Sequence, residues 1–255
     1  MERLTRKPFQ GITNIIRFNW HYYIIALAVI AALLFVETFL NEQWKIVVLI
    51  VAALTILSII ISLIVSWYIY DCSGLYAFTW LEDLNIKAGQ QLININAGFD
   101  ETSFILANKF PHAHLLVFDF YDPQKHTEIS IKRARKFYSA FPGTVEIDTN
   151  HLPLKVNSVD YVFLFFAAHE IRDHQERIGF FKQLKNCLSE NGRIIVVEHQ
   201  RDLYNFIAYN FGFFHFLSRK IWDKTFAMAG LFEISKTKIN SFVSTFILTK
   251  NAITS

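Results

Sequence analysis

Leu92-Ile-Asn-Ile-Asn-Ala-Gly-Phe-Asp-Glu-Thr102 is the stretch on which the reading of this chain turns. A short apolar run, Leu92 to Ile95, breaks into turn residues and reopens near Thr102 as a helical period, with Thr102 or Asp100 placed to cap it. That is a strand, a tight turn and a helix. The same unit recurs downstream. Strand-like runs lie at Leu115–Phe118, Thr144–Ile147, Tyr161–Phe166 and Arg193–Val197, and helical periods fill the gaps near 102–110, 127–140, 174–188 and 203–228. Short apolar strands alternating with helices predict an α/β fold with a parallel sheet covered on both faces. Phe232–Lys238 and Phe242–Lys250 are too close together for a crossover helix, so they pair as an antiparallel hairpin. Upstream, residues 71–88 read as a linker and a helix, with Leu75, Phe78, Leu81 and Leu84 on one face.

In open sheets of this kind ligands sit beyond the carboxyl ends of the strands, so the residues there carry the functional reading. The first strand ends at Asn94, Asn96, Gly98 and Asp100, and glycine lets a ligand approach the backbone closely. The second ends in Asp119, whose two carboxylate oxygens suit a pair of hydroxyl donors. The third ends in Asp148, then Thr149-Asn150-His151-Leu152-Pro153-Leu154 and Asn157-Ser158-Val159-Asp160. The fourth runs into Ala167-Ala168-His169-Glu170-Ile171-Arg172-Asp173-His174. His169 and His174 are five apart, about 140° around a helix, so they do not make a helical metal motif, and no metal is expected. His169 titrates near neutrality in water and can take a proton from a nucleophile, or it can simply pack against a ligand. After the fifth strand come His199 and Arg201, then an aromatic-rich segment from Tyr204 to Trp222 that includes His215. That segment reads as a lid over an apolar ligand, a core helix or a membrane-contacting surface, with lid plus membrane contact preferred.

Five strand–helix units closed by a hairpin, with these strand ends, resemble the class I methyltransferases that use S-adenosyl-L-methionine, of the ubiquinone and menaquinone type. The resemblance spans residues 71–255. Gly98 matches one glycine of that family's first turn, whereas Asn94 stands at its acidic position and Asn96 and Asp100 at two further glycines. It implies a Rossmann-like methyltransferase sheet. It implies cofactor contacts from Asn94, Asn96 and Gly98, from Asp119 to the ribose hydroxyls and from Asp148 to the adenine amine, with Asp160 only starting the next strand. His169 is implied beside the reacting methyl group, as proton-handling residue. His199, Arg201 and His215 are the expected acceptor contacts. Without the full glycine fingerprint, a dinucleotide reductase is a weaker rival. A non-catalytic protein that kept the fold is the other alternative.

The rest of the chain is of another kind. Of 255 residues 53% are hydrophobic, and only two are cysteines, which excludes disorder and a disulfide scaffold. The net charge of +3 is too small to argue for nucleic acid. Ile46–Tyr70 holds no charged residue, and Tyr22–Leu40 holds only Glu37 near its end, each long enough to cross a bilayer. Asn41–Lys45 joins them as a polar turn, and Trp20, Tyr22, Tyr23, Trp44, Trp67, Tyr68 and Tyr70 stand at the span ends. A cleaved signal peptide lacks its small-residue site here. The expected organisation is a basic segment at 1–20, a transmembrane hairpin at 21–70 and a catalytic domain at 71–255. Arg3, Arg6, Lys7 and Arg17 place both termini in the cytoplasm. Pro8–Arg17 reads either as an amphipathic helix dipping Phe9, Ile12, Ile15 and Ile16 into the inner leaflet or as a flexible tail. The partners expected are the lipid bilayer and a lipid or small-molecule methyl acceptor.

Overall fold

A computed structural model describes residues 6–126 and 128–252; Arg3, counted above among the basic residues, lies outside them. Two long helices come first, α1 (Gln10–Glu37) and α2 (Glu42–Trp67). Then follow β1 (Gln91–Asn96), α3 (Ser103–Lys109), β2 (His114–Asp119), α4 (Ile129–Phe137), β3 (Val145–Glu146) and β4 (Val159–Phe165). The chain closes with α5 (His174–Cys187), β5 (Leu188–His199), α6 (Leu203–Tyr209), α7 (Arg219–Met228), β6 (Phe232–Asn240) and β7 (Val243–Thr249). The seven strands form one sheet in the order β3-β2-β1-β4-β5-β7-β6. β1 to β5 pair in parallel, and β7 is antiparallel to both β5 and β6. The expected strand–helix alternation and closing hairpin are both present.

The apolar runs are continuous because both faces of the sheet are buried. Ile93, Ile95, Val162, Leu164, Ile194 and Val196 point to one side, against Phe180, Phe181, Trp222 and Phe226. Their strand neighbours Leu92, Tyr161, Phe163, Phe165, Ile195 and Val197 point to the other, as a two-residue period requires. That second face is covered by the linker: Leu75, Phe78, Leu81 and Leu84 pack there with Ile69. The linker is not an α-helix but two short 3-10 turns, Leu75–Ala77 and Thr79–Leu84. The four apolar residues recur every three positions, and three residues per turn is the 3-10 repeat. The aromatic segment at 203–228 is likewise not one helix. It breaks after α6 at Asn210, where φ is 50°, runs through a 3-10 turn (Asn210–His215) and restarts as α7.

α1 begins earlier than the apolar pattern alone requires, and it kinks at Asn19 (φ −114°). There the Asn19 amide donates to the Ile15 carbonyl at 3.1 Å, while Arg133 donates to the Phe18 carbonyl at 2.6 Å. Side chains inserted into the helical ladder are a known cause of kinks. The kink separates two environments. Beyond it, Ile24, Ile25, Leu27 and Phe35 of α1 and Ile46, Ile50, Leu54 and Ile64 of α2 are exposed. Both helices are long and apolar enough to cross a membrane. Before it, Gly11, Asn14 and Phe18 are buried. Residues 10–18 are therefore helical rather than a loose tail and dock onto the sheet domain, with Phe9 and Ile16 left exposed.

Candidate functional site

The carboxyl ends of β1, β2, β4 and β5 open into two cavities that meet at Asn96 and Phe99. The smaller, about 150 Å³, is lined by Gly98, Asp119, Arg135, Tyr138 and Thr144. The larger, about 240 Å³, is lined by Asn96, Phe166, His169, Glu170, His199 and His215 from the sheet domain. Its remaining wall comes from the amino-terminal segment: Gly11, Asn14, Ile15, Phe18 and Tyr70. The boundary expected at residue 70/71 runs through this cavity.

The β1–α3 turn keeps its shape by side-chain bonds where glycines were expected. Only Gly98 in it has a positive φ, 97°. The Asn96 carbonyl oxygen accepts from the Gly98 N–H at 3.0 Å, and its amide donates to the Phe118 carbonyl at 3.1 Å. Asn94 donates to Thr102 Oγ1 and Ser103 Oγ, both at 2.8 Å. Asp100 caps α3 by accepting from the Thr102 and Ser103 N–H groups, both at 2.9 Å. The Asn94 carbonyl oxygen and the second Asp100 oxygen remain buried without a donor.

Asp119 sits beside Asn96 in register and is buried. One of its oxygens accepts from the Tyr121 N–H at 2.9 Å, and the other is ion-paired with Arg135. Arg135 lies over the Tyr121 ring at 4.5 Å, and that ring covers Gly98 so closely that an added Cβ would sit 2.8 Å from it. Asp148 lines neither cavity. It is exposed, and its carboxylate is held below the usual range by the Asn150 N–H. The expected adenine contact would therefore lie outside both cavities. Asp160 is structural as expected, accepting from the Gln91 N–H and from Ser189 Oγ, both at 2.9 Å.

The larger cavity has a charged floor. β4 ends at Phe165, and the next residue, Phe166, has a φ of 49° that turns the chain sharply into the Ala168–Glu170 turn. Such strain in a bulky residue marks a turn held by its surroundings; the ring stacks on His199 at 4.9 Å. His169 is buried with Nδ1 2.7 Å from Glu198 Oε2 and Nε2 3.0 Å from Glu170 Oε1. Burial pulls its pKa down, but the Glu198 and Glu170 carboxylates outweigh that and hold it at about 10. Both ring nitrogens are engaged by carboxylates, which favours the protonated ring over the near-neutral base expected from the sequence. Glu170 also meets His215 Nε2 at 2.8 Å. Against the cost of burial, the two histidines keep its carboxyl well below the usual range.

His199 lines the cavity as expected, with Tyr70 Oη 2.8 Å from Nε2 and the Phe242 carbonyl 3.1 Å from Nδ1. The carbonyl can only accept, so Nδ1 carries the hydrogen and Nε2 accepts from the tyrosine. Burial drives the imidazole down to about 4, so it is neutral. Arg201 is not in the cavity. It donates to the Phe216 and Phe214 carbonyls at 2.9 and 2.6 Å, pinning the segment that carries His215.

Sequence reasoning passed over Glu198, Glu170, Glu101 and the amino-terminal wall. Glu101 accepts from Gln10 and Asn14 at 2.9 Å, from Tyr76 Oη at 3.1 Å and from Arg6 at 3.1 Å, tying three distant segments together. Glu170 and Glu198 adjoin the two histidines singled out, and a charged residue at the end of a buried strand was the available signal.

Residues 97–196 match the family model described as a methyltransferase domain, under half of the chain. No curated protein matches it. Among solved structures, an S-adenosylmethionine-dependent methyltransferase from Aquifex aeolicus is 15% identical with a TM-score of 0.50, over 70% of this chain and 93% of that one. A Pyrococcus horikoshii protein is 14% identical at 0.50, over 69% and 89%. An O-methyltransferase family 2 protein from Planctomyces limnophilus, in complex with apigenin, is 14% identical at 0.50, over 76% and 62%. These likenesses define the fold as a Rossmann-like methyltransferase sheet. The cofactor that such a domain implies is S-adenosylmethionine.

The residues present fit that group. Asp100, at the edge of the smaller cavity, has a buried acceptor oxygen without a donor that suits an ammonium, whereas the similar oxygen on Asn94 lies within β1 and Asn94 lines neither cavity. Each oxygen of Asp119 accepts one bond in the structure, leaving capacity for hydroxyl donors. Arg135, about one-third exposed, is the side chain that must share it.

Proposed function

We propose that this chain is a membrane-anchored S-adenosylmethionine-dependent methyltransferase acting on an amphiphilic, lipid or quinone-like acceptor. The observation that carries the reading is the shared cavity: strand-end residues of the sheet domain and residues at the base of the apolar hairpin line one space. An acceptor with its tail among the helices would reach the strand ends through that wall. A second feature supports it. Leu203, Tyr204, Phe206 and Ile207 of α6, which packs beside α2, are exposed, as are Phe211 and Phe214 in the turn that follows, an apolar surface suited to the bilayer face rather than to a core. The docking of Arg6–Phe18 on the sheet domain also requires both to lie on one side of any membrane the hairpin crosses, and the basic residues favour the cytoplasmic side.

When bound, the cofactor supplies an electrophilic methyl group on a sulfonium. The chain's residues bind, orient and exclude water. In this reading Asp119 holds the ribose hydroxyls, with Asn94, Asn96 and Gly98 shaping the turn beneath. Phe18, Phe99 and Phe166 keep the reaction space dry. His169, fixed by Glu198, presents a positive edge toward the acceptor instead of removing its proton. His199 and His215 contact the acceptor from the lid side.

The second reading, a non-catalytic protein that kept the fold, is favoured by one observation: Arg135 and Tyr121 cover the Asp119–Gly98 surface. Calorimetry of the detergent-solubilised chain with S-adenosylhomocysteine separates the two. Binding at one site per chain supports the enzyme, and no heat at millimolar ligand supports the alternative. Incubating membranes with labelled methyl donor then tests the acceptor. Label in the lipid-soluble fraction is expected, whereas label confined to soluble molecules removes the membrane acceptor from the proposal.

A further inference from the structure

We propose that His169, Glu170 and His215 form a binding site for one divalent transition-metal ion on the floor of the larger cavity, with Glu128 at its edge. One donor atom from each of the three lies within 4.8 Å of the others. His169 Nε2 is 3.0 Å and His215 Nε2 2.8 Å from the same Glu170 oxygen, and His215 Nε2 is 3.4 Å from Glu128 Oε2. Ligands about 2.0–2.2 Å from a common ion stand roughly 3–4 Å apart, so an ion could enter by displacing the proton between His169 Nε2 and Glu170 and the Arg172 guanidinium that lies against His215. Two imidazoles and one carboxylate with open positions suit zinc, manganese or ferrous ions better than magnesium.

Three further observations point the same way. The first is the outer partner. His169 turns its other nitrogen, Nδ1, to Glu198 at 2.7 Å, and Glu198 is wholly buried. A metal-bound histidine almost always gives its second N–H to such a carboxylate, which fixes the ring and its tautomer. The second is charge. Glu128, Glu170 and Glu198 converge here, and facing them are the two histidines, Arg172, whose guanidinium lies against both ring nitrogens of His215, and Arg177, which interacts with Glu198. A divalent ion would replace the displaced His169 proton and the Arg172 guanidinium as counter-charge to these carboxylates. The third is access: all four candidate donors line the cavity, so a bound ion keeps positions open for a ligand.

The chemistry follows from those open positions. An acceptor oxygen bound to the ion would lose its proton more readily and be held at the strand ends. That use of the ion rests on the methyltransferase reading, but binding of the ion does not.

The test uses the full-length chain in detergent, stripped with a chelator. Zinc and manganese are titrated by calorimetry, metal content is measured after dialysis, and cobalt is added as a visible-spectrum probe. We expect one ion per chain. Glu198→Gln should weaken it about 10–100-fold. His215→Ala and Glu170→Gln should each weaken it at least as much, and His174→Ala should leave it unchanged. The cobalt bands of the unaltered chain report nitrogen and oxygen coordination even where a variant fails to fold. Absence of stoichiometric metal and of cobalt bands in the unaltered chain overturns the proposal, as does undiminished binding in both His215→Ala and Glu170→Gln. S-adenosylhomocysteine binding, measured on the same preparation, tests the methyltransferase reading separately.

Discussion

Asp119 and His199 carry the sharpest consequences at the scale of single residues. Asp119→Ala removes the acceptor for the proposed ribose hydroxyls, and charge-assisted bonds of that kind contribute about 1.5–3 kcal/mol. Calorimetry with S-adenosylhomocysteine should show a loss of that size. Asp148→Ala should lose much less, since Asp148 is exposed and lines neither cavity; equal losses in the two variants would overturn the assignment. His199 makes a prediction about pH. Its folded value, about 4, lies below the ordinary 6.5, so the folded state binds fewer protons between those values. Stability from this group is fully present above about pH 6.5 and is lost as pH falls toward 4. Thermal midpoints of the parent should drop over that window, and those of His199→Gln should drop less steeply.

The amino-terminal helix is the decisive element. Its first N–H groups have no partners within the helix, and the Asp71 carboxylate supplies them from outside, accepting from Gly11 at 2.7 Å and from Ile12 at 2.9 Å. Losing such a cap costs about 0.5–2 kcal/mol. Asp71→Ala should loosen residues 10–18 and speed their hydrogen exchange while leaving the sheet protected. Gly11 allows the close approach. A Cβ there would fall 2.3 Å from the Tyr70 Cβ and 2.9 Å from Asp71, so Gly11→Ala should undock the segment and open the cavity. Exchange at 10–18 that is unaltered in both variants would contradict the docking. The strand–helix alternation was legible because strands buried on both faces leave unbroken apolar runs. The 3-10 linker was less so: Leu75, Phe78, Leu81 and Leu84 recur every three residues, a spacing close enough to 3.6 to pass for an α-helix. The break at Asn210 left no periodic signal, because the aromatics on both sides are equally dense.

At the scale of the whole molecule, the base of the hairpin and the sheet domain line one cavity. A chain cut to residues 71–255 lacks Gly11, Asn14, Phe18 and Tyr70, and so lacks one wall. It should bind S-adenosylhomocysteine more weakly than the full chain, or fail to stay soluble. Equal affinity would make the hairpin a mere anchor. The proposed topology has its own check. A reporter fused after Ser255 should be active only in its cytoplasmic form, and a signal from the opposite side would reverse the orientation.

What the sequence determined by itself was local and periodic. Apolar runs of fixed length specified the strands and the two long helices, and the short gap before the last strand specified the hairpin. Strand ends then marked Gly98, Asp119, His169 and His199, since in such sheets chemistry collects there. Only the tertiary structure decided which distant groups meet. Glu198 holds His169, His215 closes on Glu170 from 45 residues away, Arg135 takes hold of Asp119, and Glu101 gathers the amino-terminal segment onto the β1–α3 turn. These contacts follow from sheet order, a helix kink and a broken lid. Each arises from bonds between side chains far apart in the chain, and no period within the chain records them.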